Sequence, residues 1–243
     1  MRPLRRTVVA LALSWAAAAG AAEPLGPAGL PASAFPKPDR PVAEIISPTW
    51  ASEAERDRTD EAGQVIRLLG IGPGTQVADI GAGSGYYTTR LARAVGPTGR
   101  VYAEDVMPDY LAGLEARLAK EKPDNVTVVA GEVQDPRLAP DTVDVAILIH
   151  MYHEIEQPFG FLHNLAPALR RGARVGILEP DRRTENHGTP PRLLRCEFAA
   201  VGYREVGFHQ LKGQIGYLAV FEPPAADKRP DPAAIKPCPS RTR

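Results

Sequence analysis

A glycine-rich turn carries the strongest chemical signal in the sequence. Residues 77–86 read VADIGAGSGY, which places Asp79 two positions before the first of three alternating glycines, Gly81, Gly83 and Gly85. Glycine lets the backbone turn sharply and lets a ligand lie directly against the main chain, because no Cβ intervenes. A carboxylate at such a turn accepts hydrogen bonds from a cationic amino group, which a pyrophosphate lacks. The pattern therefore favours a ligand that carries an amino group.

The glycine spacing and a second acid narrow the ligand class. The dinucleotide fingerprint G-x-G-x-x-G needs glycine at position 86, where the chain has Tyr86, so a nicotinamide-dependent reductase is disfavoured. Asp105 ends the next apolar segment, about 20 residues further on, where nucleotide-binding α/β folds hold the ribose hydroxyls. Glu104 is the adjacent alternative, because strand residues alternate in direction and only one of the two faces the ligand. We favour Asp105.

A second polar cluster, residues 150–155, follows the fourth predicted strand and reads HMYHEI. Its side chains are able to accept a proton or bind a substrate, and the candidate catalytic residues are His150, Tyr152 and His153. The alternative is that these side chains shape a pocket and hydrogen-bond to the backbone. No metal site is predicted, because the order of residues departs from H-E-x-x-H and no cysteine supports one.

Further polar residues follow the fifth predicted strand. Residues 179–183 read EPDRR, and strands that run parallel bring their carboxyl ends to the same edge of a sheet. We therefore predict that Asp181 and Arg182 line a substrate cavity. The loop at residues 186–191 is either a lid over that cavity or an ordinary solvent-exposed loop.

The elements that must position these residues alternate between strand and helix. The predicted helices cover residues 51–69, 86–95, 108–120, 159–169 and 192–200. The predicted strands cover residues 76–80, 101–103, 126–130, 143–149, 173–178, 205–211 and 216–221. Alternation of this kind, with almost wholly apolar strands, predicts a parallel sheet covered by helices on both faces. The last two strands are joined by a short link that contains Gly213, so one late strand should run antiparallel.

The runs VADIGAGSGYYTTRLA and GRVYAEDVMPDYL resemble the class I S-adenosylmethionine-dependent methyltransferases. The resemblance covers most of residues 50–222. It implies a Rossmann-like α/β fold with three αβα layers and a seven-stranded, mostly parallel sheet whose last strand is antiparallel. It also implies S-adenosylmethionine as the cofactor and methyl transfer as the reaction. The segment around Trp50, Glu53 and Arg56 is similar to the helical lead-in of a bacterial branch that is often exported.

The resemblance also assigns binding roles. The residues expected to bind S-adenosylmethionine follow the first four strands: Asp79, Gly81, Ala82, Gly83, Gly85, Tyr86, Asp105, Val106, Glu132, Val133 and His150. Glu132 takes the place of the acid that contacts the adenine amino group in the family, with Asp135 as a less favoured candidate. The residues expected to bind the methyl acceptor are Tyr152, His153, Glu154, Asp181 and Arg182.

The beginning of the chain is typical of a secretory signal. Arg2, Arg5 and Arg6 precede an apolar run at residues 7–20, which ends in small residues that suit cleavage. The run is shorter than the roughly 18–20 residues that span a bilayer. We predict a signal peptide over residues 1–22, export to the periplasm and no stable membrane insertion after cleavage.

Net charge and the distribution of proline indicate the class of partner and the bounds of the folded domain. The 29 basic and 29 acidic side chains leave no net charge, which argues against a nucleic-acid partner bound by charge alone. The expected partner is a small-molecule methyl acceptor. Residues 23–48 and 223–243 are rich in proline and are predicted to be flexible arms around a domain at residues 49–222. Cys196 and Cys238 are either two unpaired thiols or a disulfide. Oligomeric state is not predicted.

Export creates an alternative to catalysis. The methyl donor is made in the cytoplasm, so an exported enzyme must obtain it elsewhere. Because the donor has to reach the exported protein, the second hypothesis is an exported protein that binds S-adenosylmethionine or a nucleoside without turnover. The nicotinamide-dependent reductase is the third.

Overall fold

The computed structural model describes residues 22–45, 52–213 and 215–239. The predicted signal segment lies outside these ranges except for its last residue. The strands are β1 Gln76–Ile80, β2 Arg100–Asp105, β3 Val126–Ala130, β4 Val143–Ile149, β5 Leu169–Glu179, β6 Arg204–Gln210 and β7 Tyr217–Glu222. The α-helices are α1 Glu53–Arg58, α2 Glu61–Leu68, α3 Tyr86–Val95, α4 Pro108–Glu121, α5 Pro158–Leu165 and α6 Pro191–Ala200. Within the described ranges, no helix is both long enough and apolar enough to cross a bilayer.

The seven strands form one sheet in the order β3-β2-β1-β4-β5-β7-β6. The first five are parallel, whereas β7 is antiparallel to both β5 and β6. This topology confirms the predicted Rossmann-like α/β fold with an antiparallel strand at the end of the chain. The strand order reverses between β1 and β4, and the crevice at such a reversal is where open α/β sheets bind ligands.

Successive side chains along each strand point to opposite faces of the sheet, so the hydrophobic core is divided into one cluster on each face. On β4, Ala146 and Leu148 pack into one hydrophobic cluster, while Val145 and Ile147 pack into the other. All four are buried, because a parallel sheet is covered on both sides and its strands can be apolar throughout. The carboxyl ends of the strands therefore hold their polar residues on a sheet that is packed on both faces.

Two elements differ from their predicted bounds for local reasons. The predicted helix at residues 51–69 is two helices, because Asp60 adopts a left-handed conformation with φ of 51° and breaks the run. Strand β5 starts at Leu169, before the predicted stop at Gly172, which has φ of 82° within the strand. The pairing of β4 with β5 shifts register at this point, which is how a sheet accommodates extra residues.

The N-terminal proline-rich segment packs against the domain, which corrects its interpretation as a flexible arm. Phe35 is 6% exposed and lies against α5, where its ring centroid is 5.2 Å from that of His163. Arg40 is buried and donates to the backbone carbonyls of Tyr152, His153 and Ile155. Proline fixes backbone torsions but does not prevent side chains from docking, so the described part, residues 22–45, is ordered by its anchors.

The described part of the C-terminal segment is anchored as well. Cys238 forms a disulfide with Cys196 on α6, with Cα atoms 5.9 Å apart. Ile235 is 5% exposed within the main hydrophobic cluster. Asp39 and Pro239 form an isolated parallel bridge, so the two proline-rich segments also touch each other. The flexible-tail interpretation does not hold for residues 223–239.

Candidate active site

A cavity of about 380 Å³ opens at the carboxyl ends of β1, β2 and β4. The volume lies within the range of sites that bind small ligands. Its walls come from the glycine turn after β1, the ends of β2 and β4, the segment after β3 and the N-terminal residues Val42–Ile45. The cavity therefore sits at the reversal of strand order that the fold predicts as a ligand site.

The glycine turn is held against the end of β2. Gly81, Gly83 and Gly85 have φ angles of 66°, 53° and 83°, the left-handed region that favours glycine. The Gly83 N–H donates to Asp105 Oδ2 at 2.9 Å. A Cβ on Gly85 would lie 2.6 Å from Leu114 Cδ1 on α4. Close packing and backbone conformation thus both require glycine in this turn.

Three buried carboxyl groups surround the turn: Asp79, Glu104 and Asp105. Burial raises the pKa of Asp79 to about 7, although the Thr88 hydroxyl, which donates to it at 2.6 Å, acts in the opposite direction. Burial also raises the pKa of Glu104 well above its usual value, and the neighbouring Asp105 raises it further. A cationic ligand would relieve the repulsion among these groups.

Glu104 and Asp105 differ in their hydrogen bonds. Both oxygens of Asp105 accept backbone N–H groups, from Gly83 and from Met107, each at 2.9 Å. Within the described residues, Glu104 Oε1 is buried and accepts no hydrogen bond. A buried polar atom without a partner costs free energy, which a ligand that donates to it would offset. Glu104 lines the cavity together with Asp105, whereas alternation along the strand predicted only one of the two acids there.

Glu132 and Val133 lie at the mouth of the cavity, after β3. The Glu132 side chain is 46% exposed and forms an ion pair with Arg137. Asp135, the less favoured candidate, does not line the cavity, because its carboxylate accepts the backbone N–H groups of Gly29 and Arg137. The structure therefore brings Glu132, and not Asp135, together with the glycine turn.

An aromatic and charged wall closes the side of the cavity next to α1 and α2. The Arg56 guanidinium lies 3.8 Å from the centroid of the Tyr86 ring and donates to Glu61 at 2.6 Å. Tyr87 also donates to Glu61, at 3.0 Å. Burial raises the pKa of Glu61, but nearby His150 and Arg56 outweigh it and lower the pKa to about 2. Glu61 is therefore a stable buried carboxylate.

His150 is brought into the cavity by the end of β4. Its backbone is left-handed, with φ of 56°, and its N–H donates to the Leu178 carbonyl at 2.8 Å. Its Nε2 lies 3.7 Å from Glu61 Oε1. His150 therefore places an imidazole ring inside the cavity beside a buried carboxylate, and imidazole is the side chain that most often accepts protons in enzymes.

Tyr152 and His153 do not line the cavity, which corrects their placement beside His150. Tyr152 is fully buried in the core and its hydroxyl donates to Glu197 at 2.9 Å. His153 Nδ1 lies 2.8 Å from Glu179 Oε2. The reason is a single 3-10 turn, Tyr152–Glu154, which directs these two side chains into the interior. Glu154, at its end, does line the cavity.

Asp181 and Arg182 are exposed and also lie outside the cavity, contrary to their predicted position. The loop that follows is anchored and does not have the features of a lid. Thr189 is fully buried, donates to Glu179 at 3.2 Å and accepts the Tyr217 hydroxyl at 2.6 Å on its carbonyl. Burial of this loop directs the two charged residues before it towards solvent.

The cavity also contains residues that the sequence analysis did not assign to it. They are largely apolar and come from four separate parts of the chain: Val42, Ala43, Ile45, Met107, Met151, Ile155 and Phe161. Ala43 is held in place by a backbone hydrogen bond to His153 at 3.2 Å. No local motif marks these positions, because only the fold brings the N-terminal segment to the end of β4.

Comparison with known proteins agrees with this geometry. Residues 77–172 match the family model for a methyltransferase domain. The chain is 30% identical to a ubiquinone/menaquinone biosynthesis C-methyltransferase of Ectopseudomonas mendocina over 115 residues, which cover 47% of this chain and 45% of that protein. It is 31% identical to the tRNA (adenine(58)-N(1))-methyltransferase of Thermus thermophilus over 154 residues, which cover 60% of this chain and 57% of the relative.

A solved S-adenosylmethionine-dependent methyltransferase from Aquifex aeolicus has the same fold. The TM-score is 0.58 at 22% identity, and the match covers 70% of this chain and 97% of the other. The family match places a methyltransferase domain at residues 77–172, and the likeness to this structure shows a shared fold. The match spans only about half the length of the two curated relatives.

Proposed function

We propose that this chain is an exported S-adenosylmethionine-dependent methyltransferase that acts on a small-molecule acceptor. The observation that carries the proposal is the set of buried acids Asp79, Glu104 and Asp105 around a glycine turn in one cavity. S-adenosylmethionine carries an ammonium group, a sulfonium and two ribose hydroxyls, so its positive charge and its hydrogen-bond donors match these carboxylate acceptors.

Each part of the cavity has a role in this proposal. Asp79 would hold the amino group and Asp105 the ribose hydroxyls, while Glu132 and Val133 would hold the adenine. The glycine turn would lie against the amino-acid chain. When bound, S-adenosylmethionine supplies a methyl group activated by a positively charged sulfur. The remaining task of the protein is to bring the acceptor into line, which is catalysis by proximity and orientation.

His150 is the proposed proton acceptor for an acceptor that must lose a proton. It is the one histidine of the predicted catalytic set that lines the cavity, and its Nε2 lies 3.7 Å from the buried Glu61 carboxylate. Positioned general bases contribute about 10²–10⁴-fold to rates. His150→Gln should therefore lower the rate of methyl transfer within this range, and this loss should exceed any loss of affinity for S-adenosylmethionine.

Two features support a small acceptor. The walls formed by Val42, Ala43 and Ile45 narrow the cavity beside the turn that holds His150. The chain also has no net charge, whereas proteins that bind nucleic acid present basic surfaces. The Thermus thermophilus relative is named for action on tRNA, so tRNA is included as an acceptor in the test below.

Calorimetry with S-adenosylmethionine and with NAD tests the ligand class. We expect micromolar binding of the former and none of the latter. Asp79→Ala should weaken binding roughly tenfold or more, because a charge-assisted hydrogen bond is lost. Asp109→Ala, at an exposed acid on α4 outside the cavity, is the matched control. Binding that is absent, or equally strong in Asp79→Ala, would refute the proposal.

Labelled S-adenosylmethionine tests turnover. The protein is incubated with a small-molecule fraction, a protein fraction and tRNA from the same cells. We expect label in the small-molecule fraction, and less of it with His150→Gln. Label in tRNA alone would overturn the acceptor class. Binding without transfer to any fraction would favour the alternative, a binding protein without turnover.

Export is supported by two independent features. The basic and apolar residues at the start of the chain suit a secretory signal. The disulfide between Cys196 and Cys238 suits an oxidising compartment. A fusion of residues 1–30 to a reporter that is active only outside the cytoplasm should give signal in intact cells, and a silent reporter would contradict export.

A further inference from the structure

We propose that His153, Glu154 and His187 form a binding site for a divalent metal ion that prefers imidazole ligands, with Zn²⁺ as the first candidate. The site does not depend on methyl transfer, since its test measures metal binding alone. It lies behind the wall of the cavity, and Glu154 is the residue shared by both.

The three side chains converge although they come from two separate loops. One candidate ligand atom from each residue lies within 4.8 Å of the others. His153 Nε2 is 3.9 Å from Glu154 Oε1, and the rings of His153 and His187 meet edge to face at 5.4 Å. Ligands around tetrahedral zinc are separated by about 3.4 Å. Small side-chain rotations would therefore close this set around an ion.

A buried carboxylate already orients His153 as metal-binding histidines are oriented. Glu179 is completely buried and its Oε2 lies 2.8 Å from His153 Nδ1, which leaves Nε2 directed towards Glu154. Glu179 is itself fixed by the Tyr152 backbone N–H at 3.1 Å and by the Thr189 hydroxyl at 3.2 Å. Histidines that ligate metals typically donate their second ring N–H to such a carboxylate.

His187 supplies the second observation. Its Nδ1 is buried and, among the described residues, has no hydrogen-bond partner. A buried ring nitrogen without a partner costs free energy, and a metal ion at the cluster would offset that cost. The loop that carries His187 is fixed by the buried Thr189, so the imidazole is held beside His153 by the fold.

The chemistry of the three ligands selects the ion. Two imidazole nitrogens and one carboxylate suit Zn²⁺ and neighbouring transition metals, while Mg²⁺ and Ca²⁺ prefer oxygen ligands. Three protein ligands leave at least one coordination position for water or a substrate atom. The sequence does not reveal this set, because its third member follows β5 and no H-E-x-x-H spacing is present.

Metal titration tests the site directly. The protein is purified without a histidine tag, stripped with a chelator and titrated with Co²⁺, whose visible absorption reports tetrahedral coordination, and then with Zn²⁺ in competition. We expect one equivalent of Co²⁺ to bind and to be displaced by Zn²⁺. His187→Gln and Glu154→Gln should each weaken binding at least tenfold, and Glu179→Gln should weaken it by about 10–100-fold.

His209→Gln is the matched control, because His209 lies on strand β6, outside the cluster. It should bind Co²⁺ as the unchanged protein does. Circular dichroism establishes whether each variant is folded. If the variant at the buried Glu179 does not fold, His187→Gln, which changes a loop residue, still tests the site. Absence of a bound equivalent, or binding that His187→Gln leaves unchanged, would overturn the proposal.

Discussion

Arg40 and Glu197 lie 157 positions apart in the chain and form an ion pair in which Nε is 2.8 Å from Oε1. Their side chains are only 0% and 1% exposed. Tyr152 donates its hydroxyl to the other oxygen of Glu197, so the carboxylate is paired on both sides. The pair ties the N-terminal segment to α6 and to the turn that follows β4.

Removal of Arg40 should be strongly destabilising. Arg40→Ala leaves the Glu197 carboxyl buried without its cation, and loss of one partner of a buried pair costs about 3–5 kcal/mol. Urea unfolding measures the change. Arg204→Ala is the control, because Arg204 pairs with Glu222 while 71% exposed, and exposed pairs contribute about 0.2–1 kcal/mol. Equal losses from the two variants would contradict the prediction.

Affinity for S-adenosylmethionine should depend on pH near neutrality. Burial raises the pKa of Asp79 to about 7, so in the free protein this group is protonated below that pH and charged above it. A cationic ligand prefers the carboxylate, and binding should therefore release a proton. We expect affinity to fall by up to about tenfold per pH unit below pH 7.

Calorimetry in buffers of different ionisation enthalpy measures that proton release. Asp79→Asn removes the titrating group and should flatten the pH dependence around the pKa of about 7. Asp109→Asn should keep the full dependence. A pH profile that is equally steep in Asp79→Asn would show that the released proton comes from another group.

Acid stability should depend on Glu61. Its pKa is lowered from 4.5 to about 2 in the folded protein, so its contribution is fully present above pH 4.5 and disappears as pH falls towards 2. The difference corresponds to roughly 3 kcal/mol. Glu61→Gln should lose this stability at neutral pH and unfold with a weaker acid dependence. Glu115→Gln on α4 is the control, and a Glu61→Gln profile that matches the unchanged protein would refute the assignment.

Reduction of the disulfide should lower stability. Cross-links restrict the unfolded chain and typically contribute about 2–4 kcal/mol. We expect Cys238→Ser, and the unchanged protein in reductant, to lose similar amounts of free energy of unfolding. The double variant Cys196→Ser/Cys238→Ser should not respond to reductant. Identical urea midpoints for oxidised and reduced protein would contradict this expectation.

Local patterns predicted most of the fold. Helix α3 has the predicted bounds, because the glycines before it and Gly96 after it punctuate an amphipathic run. The Rossmann-like topology followed from the alternation of elements, and the glycine turn lies at the reversal of strand order as expected. Signals of this kind are contained in a few neighbouring residues.

The site was predicted only in part, for physical reasons that concern Tyr152, Arg40 and Glu104. Sequence proximity placed Tyr152 beside His150, but one 3-10 turn sends the tyrosine into the core. Arg40 lies in a proline-rich segment and pairs with Glu197 on α6. No periodic pattern in the sequence predicts a contact between these two positions. Glu104 lines the cavity together with Asp105, since the end of a strand exposes both faces.

The wall formed by Val42–Ile45 makes the cavity depend on contacts between segments that are far apart in the chain. These residues are synthesised before any strand of the sheet, yet the groups that hold this segment lie after β4 and on α6. Closure of a loop of this length costs conformational entropy, which the contacts between the two distant segments must offset. The binding pocket therefore exists only when contacts between distant parts of the chain are formed, and a ligand that fills it would stabilise the completely folded chain by mass action.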